Sequence, residues 1–262
     1  MIPLRDMPRE HLDDAPGLAT DLDDTLTAHG AGLSARTLEA LYELGEMGVP
    51  CVIATGRPVG WAQVLASLLP VRAVVAENGG AWALREGTTV RVAFLDDEPT
   101  RREGLARARE VADELMKVFP VLSPVTEWAS RGTDVVVDIG ERVAAPAAVV
   151  RDALSLVRAR GLHGVASTVH LHVSHRAPDK TLGLRRALDD LGLDGDALGP
   201  RWIYLGDSPN DAPAFAAVSR SVGVRNVLRF ADAMPSWPRY VTEGEGPDGF
   251  VELVGALREA RR

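Results

Sequence analysis

The stretch Ala19-Thr20-Asp21-Leu22-Asp23-Asp24-Thr25-Leu26-Thr27 decides how this chain is read. The apolar pair Leu18-Ala19 leads to two carboxylates, Asp21 and Asp23, and a loop of small and polar residues follows. This is the pattern of a first β-strand that delivers acids into the loop at its carboxyl end. In open parallel α/β sheets, ligands bind beyond that end. Two carboxylates there repel one another unless a cation or a shared proton resolves them. A hard ion such as magnesium takes one or two carboxylates and fills its shell with water and phosphate. Alone, a D-x-D turn is usually a solvated loop.

Three further stretches share the design. Val49 to Ala54 is an apolar strand followed by Thr55-Gly56-Arg57-Pro58, a hydroxyl, a glycine and an arginine before a helix. Trp202 to Leu205 is a strand followed by Gly206-Asp207-Ser208-Pro209-Asn210-Asp211. Asp179-Lys180-Thr181 opens a helix with a lysine, which the helix dipole disfavours there, so the position points to use. Between the first strand and a third at Ala73–Ala76, the spacing predicts two helices. One is capped by Ser34, with Leu38, Leu41 and Tyr42 on one face; the other starts at Pro58, with Trp61, Val64, Leu65 and Leu68 as its apolar stripe. Strands alternating with helices at this spacing mean βαβ units and a parallel sheet.

From residue 81 the pattern changes. Ala81–Leu84 and Thr89–Phe94 flank a turn and read as a hairpin. Helices are predicted at Thr100–Phe119 and Pro146–Arg160, with strands at Thr133–Ile139 and Ser167–Ser174. This run is an α+β module inserted into the parallel pattern. Alternation puts Thr168, His170, His172 and Ser174 on one face of the last strand, and Asp134, Val136 and Asp138 on one face of the earlier one. That polar face either contacts substrate or is solvated; the i, i+2 histidines also allow a transition-metal site, without further ligands to support it.

Composition narrows the field. The 262 residues carry a net charge of −8, which argues against a nucleic-acid surface. Cys51 is the only cysteine, so no internal disulfide forms. No apolar run spans a membrane and the first sixteen residues lack a signal-peptide core, so the cytoplasm is the expected location.

The four motifs, at Asp21/Asp23, Thr55-Gly56-Arg57, Lys180 and Asp207 to Asp211, stand in an order that resembles the haloacid dehalogenase (HAD) phosphatase superfamily. The branch is the Cof-type, class IIB one, similar to sucrose-phosphate phosphatase and mannosyl-3-phosphoglycerate phosphatase. The resemblance implies a Rossmann-like α/β core with an inserted C2B-type cap. It divides the chain into a polar extension (1–16), a core (17–82 and 177–262) and a substrate-selecting cap (83–176). It implies Asp21 as nucleophile and Asp23 as general acid and base. Thr55, Gly56, Arg57, Asn78, Lys180 and Asn210 would bind phosphate or substrate. Magnesium would be held by Asp21, Asp207 and the Asp23 backbone carbonyl, with Asp211 among the metal-site acids or orienting the shell from outside. Position 24, most often Gly in this branch, is Asp here, and its side chain must turn away from the phosphate. The expected partner is a small phosphate ester, a sugar phosphate above all, for a monomer or homodimer. The rivals are a phosphosugar mutase on the same scaffold and a non-catalytic phospholigand-binding protein.

Overall fold

The computed structural model describes residues 1–262 apart from 143, 168, 232 and 233, so Thr168 lies outside the described residues. The chain opens with a short strand β1 (Ile2–Pro3) and a helix α1 (Arg9–Asp13). It then alternates β2 (Leu18–Thr20), α2 (Ala35–Glu46), β3 (Cys51–Ala54), α3 (Val59–Leu68) and β4 (Ala73–Ala76). A hairpin, β5 (Ala81–Glu86) and β6 (Thr89–Phe94), precedes the long helix α4 (Glu98–Val118). Then come β7 (Ser123–Pro124), β8 (Asp134–Asp138), α5 (Ala147–Ala159), β9 (His163–Ala166) and β10 (His170–Ser174). The closing run is α6 (Lys180–Asp190), β11 (Ile203–Gly206), α7 (Ala212–Ala217), β12 (Arg220–Gly223), β13 (Tyr240–Val241) and α8 (Gly246–Ala260).

Nine strands form one sheet in the order β1-β13-β12-β11-β2-β3-β4-β5-β6, parallel from β1 to β4. Strands β2, β3, β4 and β11 are buried throughout, as strands covered on both faces must be, and this is why they read as continuous apolar runs. One face packs on α2, α3 and α8, the other on α6 and α7. A second, four-stranded antiparallel sheet, β7-β8-β10-β9, packs Val135, Val137, Leu171 and Val173 against α4 and α5.

Four expectations change. The first sixteen residues are not a free polar extension: β1 pairs with β13, and Leu4, Met7 and Leu12 are buried in the main core. The hairpin β5–β6, grouped above with the inserted module, pairs antiparallel on β4 and extends the large sheet. On α3 the inward residues are Ala62 and Ala66, while Trp61, Val64 and Leu68 are 44%, 55% and 71% exposed. Apart from Gln63 and Ser67 that helix is apolar, so close approach through the small alanines sets its rotation. On α2, Ala40, Leu41 and Leu44 face in, and Leu38 and Tyr42 face out.

The topology positions the site. Strands β11, β2, β3 and β4 are neighbours, so the loops bearing Asp207, Asp21, Thr55 and Asn78 leave one edge of the sheet side by side. Helix α6 reaches them because it approaches β4 through glycines. A Cβ on Gly79 (φ +105°) would lie 2.0 Å from the Asp179 carbonyl oxygen, and one on Gly183 would lie 2.5 Å from Gly79 Cα.

Candidate active site

Asp21 directly follows β2, and its backbone N–H donates to the Leu205 carbonyl of the neighbouring β11 at 2.8 Å, which fixes it at the end of the central strands. Asp179 caps α6 through the N–H groups of Thr181 and Leu182. That sends the next side chain, Lys180, into the sheet edge. Its Nζ donates to Asp21 Oδ1 at 2.6 Å and to Asp211 Oδ1 at 2.7 Å, all three groups being buried. Asp211 is held on every side. Oδ1 also accepts from the Tyr204 hydroxyl at 2.6 Å, and Oδ2 accepts from the backbone N–H groups of Asp207 at 3.0 Å and Ser208 at 3.2 Å. Asp207 Oδ2 accepts from Asn226 Nδ2 at 3.1 Å, and Asn226 also donates to the Asp24 carbonyl.

Burial pushes the Asp21 carboxyl up to about 8 against the pull of Lys180, with Asp211 and Asp23 adding to the rise. Burial likewise raises Asp207 to about 9, reinforced by Asp21 and Asp211. For Lys180, burial opposes the charge but Asp21 and Asp211 outweigh it, so the ammonium is held well above its ordinary range. The cluster is therefore a fixed Lys180–Asp211 pair beside two carboxylates short of positive charge.

That shortage tests the fit of a metal. Carboxylate oxygens of Asp21, Asp207 and Asp211 lie within 4.8 Å of one another. An all-oxygen, net-negative, buried set suits a hard divalent cation. Asp211 spends its acceptor sites on four donors, so the oxygens left for an ion belong to Asp21 and Asp207, and Asp211 serves as the brace behind them.

The neighbouring loop carries Thr55, buried, and Gly56 and Arg57. Arg57 N–H donates to Thr55 Oγ1 at 3.1 Å. Its guanidinium lies on Asp23, with Nη2 2.8 Å from Oδ1. Asp24 has a positive φ of 57° and turns its carboxylate toward His29, 3.3 Å away on the exposed side, as a non-glycine at that position must. Asn210 Oδ1 accepts from the Ser208 hydroxyl at 2.7 Å within its own turn.

The smaller sheet faces this loop cluster with part of its polar side. His172 Nδ1 is 2.7 Å from Asp134 Oδ2 and 3.5 Å from Asn78 Nδ2. Burial holds the His172 imidazole below its usual range despite Asp134. Asp134 also pairs with the buried Arg131 at 2.8 Å, and Arg131 and His172 keep it ionised against its burial. Asp138 instead accepts from the backbone N–H groups of Gly140, Glu141 and Arg142, a loop cap, and His170 lies 3.3 Å from Glu141. Tyr204, Asn226, Glu77 and Arg131 were not singled out from the sequence. The first two sit inside apolar or turn segments without a motif, and the others act through backbone contacts between the two sheets.

The haloacid dehalogenase-like hydrolase family model matches residues 18–101. A phosphoglycolate phosphatase of Halorubrum lacusprofundi is 32% identical over 80% of this chain and 85% of its own. A second one, from Methanothrix thermoacetophila, is 28% identical over 93% and 97%. Among solved structures, a Thermoplasma acidophilum protein shares the fold at a TM-score of 0.75, 17% identity, and coverage of 93% and 98%. The Synechocystis sucrose-phosphatase, solved with sucrose and phosphate, shares it at 0.65, 17%, and 92% and 97%. The chain belongs to the haloacid dehalogenase-like hydrolase family, and it is a phosphatase of that family.

Proposed function

We infer that the protein is a magnesium-dependent phosphomonoesterase that works through an aspartyl phosphate on Asp21. The observation that carries this is the buried group of Asp21, Asp207 and the Lys180–Asp211 pair at one edge of the sheet. Asp21 and Asp207 would hold the magnesium ion, which would supply positive charge to the phosphoryl oxygens. Lys180, the Thr55 hydroxyl and the Gly56 backbone bind and orient the phosphate. Asp21 Oδ attacks phosphorus in line, and the bond to the leaving oxygen breaks as that oxygen takes a proton from Asp23. Asp23 then removes a proton from water as the water attacks the aspartyl phosphate, which releases inorganic phosphate and frees Asp21. We assign the smaller module the role of cap. Its His172, backed by Asp134, lies against Asn78 and Gly56, and this close approach favours a compact leaving group. A small ester such as phosphoglycolate, the substrate in the relatives' names, suits this better than a disaccharide phosphate, with monosaccharide phosphates next in size.

The test is phosphate release from phosphoglycolate, monosaccharide phosphates, sucrose 6-phosphate and 4-nitrophenyl phosphate, with magnesium and with chelator. Magnesium-dependent release that Asp21→Asn abolishes is the expected result. Tight phosphosugar binding without release from any ester would overturn the reading.

A further inference from the structure

Among the described residues, the Asp23 carboxylate has one close side-chain partner. Arg57 donates from Nη2 to Oδ1 at 2.8 Å and from Nε to both oxygens at 3.2 Å, while the Thr55 hydroxyl stands off at 3.5 Å. Asp23 is half-exposed and sits in a loop, so Arg57 decides where its carboxylate points. Arg57 is itself fixed by its neighbours. Its guanidinium carbon lies 4.7 Å from the centre of the Trp61 ring, and its Nη1 lies 3.7 Å from Glu127 Oε1. Glu127 belongs to the smaller module, in the 3₁₀ turn Thr126–Ser130. Its other oxygen is 3.5 Å from Arg131 Nη2, and Arg131 Nη1 donates to the Gly56 carbonyl at 3.1 Å. Two residues of the smaller module thus grip the Gly56-Arg57 dipeptide, one at the side chain and one at the backbone. An isolated surface ion pair contributes little. This one is a planar fork on a carboxylate, stacked on an aromatic ring and joined to a second element, an arrangement that sets geometry.

We propose that Arg57 is a positioning residue for Asp23 and that Glu127 governs it from the smaller module, so that the proton-transfer group is aligned only when that module is seated. This rests on the phosphatase mechanism above. When the module lifts, Glu127 and Arg131 leave the dipeptide, and Arg57 is free to follow solvent or the phosphate. Seating restores the fork and sets Asp23 beside the leaving oxygen.

The experiment compares kcat/KM on two esters for the native chain, Arg57→Ala, Glu127→Gln and the double variant, all with magnesium. Phosphoglycolate has an alkoxide leaving group that needs a proton; 4-nitrophenyl phosphate has a phenolate that leaves without one. Arg57→Ala is expected to lower kcat/KM on phosphoglycolate about 10- to 100-fold and on 4-nitrophenyl phosphate less than about 3-fold, since general acid catalysis is what is lost. Glu127→Gln, nearly isosteric, is expected to act in the same direction by about 3- to 10-fold, and the double variant to be no worse than Arg57→Ala, because the two residues act as one unit. Equal losses on both esters, a Glu127→Gln enzyme that matches the native one, or additive losses would each overturn the proposal. Glu127→Gln carries the test if Arg57→Ala does not fold. A native chain inactive on these two esters and on the monosaccharide phosphates alike would overturn the mechanism above, and this proposal with it.

Discussion

Lys180 Nζ lies 2.7 Å from Asp211 Oδ1, and that contact, made beside the buried carboxylate of Asp21, fixes where the positive charge stands. Asp211 can do this because the Tyr204 hydroxyl and two backbone N–H groups saturate its remaining acceptor sites.

Asp211→Asn should therefore act on both stability and rate. It removes one charge of a buried pair and turns an amide toward at least one donor. Breaking such pairs costs about 3–5 kcal/mol, and the expected loss is at the lower end of that range because Asp21 still faces the lysine. The rate should fall about 10²-fold or more as Lys180 relaxes toward Asp21. Thermal unfolding and phosphate release on the same preparation check both. An unchanged melting temperature would show that the hub is not structural.

The raised carboxyls of Asp21 and Asp207 make a second prediction, on pH. A free aspartate titrates near 3.9. Between pH 7 and 9 the unfolded chain has therefore lost both protons, while the folded chain still gives them up, around 8 and around 9. The folded state binds more protons, so the stability of the metal-free chain falls as pH rises through this window. Lys180 is raised and charged in both states there, so it does not contribute to the slope. The melting temperature with chelator should drop by several degrees from pH 7 to 9, at roughly 2–4 °C per kcal/mol for a chain of this size. Saturating magnesium should flatten the curve, with its largest stabilisation at pH 9. A flat profile with chelator would contradict the prediction.

The parts of this site legible in the sequence are those where polarity interrupts an apolar run. Asp21, Thr55 and Asp207 each follow a strand buried on both faces, so each stood out against Val, Ile, Leu and Ala neighbours. Lys180 stood out because the start of a helix is an unfavourable place for a cation. Tyr204 did not, since an aromatic inside β11 reads as core until its hydroxyl is seen on Asp211. Asn226 lies in an irregular segment, and its amide bridges Asp24 and Asp207 across a sequence gap that no periodicity spans. The N-terminal segment hid for a related reason: Leu4, Met7 and Leu12 are spaced apolar residues among charges, and packing into the main core, where α1 lies against α8, makes them a face.

Glu77 shows what joins the two sheets. Its carboxylate accepts from Val59 N–H at 2.9 Å, from Gly132 N–H at 2.9 Å, and from the N–H and hydroxyl of Thr133, both at 2.6 Å. It does so from a backbone with φ 51°, followed by Asn78 at 52° and Gly79 at 105°. Strain of this kind, about 1–3 kcal/mol per residue, persists only where the surroundings impose it. Glu77→Gln replaces one acceptor oxygen by a donor amide aimed at donors. It should cost about 2–3 kcal/mol and loosen the smaller module first. Limited proteolysis and hydrogen exchange would locate the loosening at residues 95–98 and 174–178. Protection lost uniformly over the chain would mean that Glu77 is an ordinary core contact.

Asp24 offers the opposite case, a residue whose replacement should stabilise. Its φ of 57° lies in the left-handed region, which costs a residue bearing a Cβ about 1–2 kcal/mol, somewhat less for aspartate, and costs glycine little. Among the described residues its side chain pairs with His29 alone, on the exposed side, while its charge adds to the negative field that raises Asp207. Asp24→Gly removes the strain and that charge together and gives back part of the gain as chain entropy in the unfolded state. The net expectation is a rise in stability of up to about 1 kcal/mol. The bond from the Asn226 side-chain amide to the residue 24 carbonyl is retained, because on residue 24 it uses only the backbone. The pH slope of the second prediction should become shallower in the same variant, since Asp207 loses a repulsive neighbour. Chelated samples of both chains, melted side by side at pH 7 and 9, read both effects. A variant less stable than the native chain at both values would show that the Asp24–His29 contact outweighs the backbone strain.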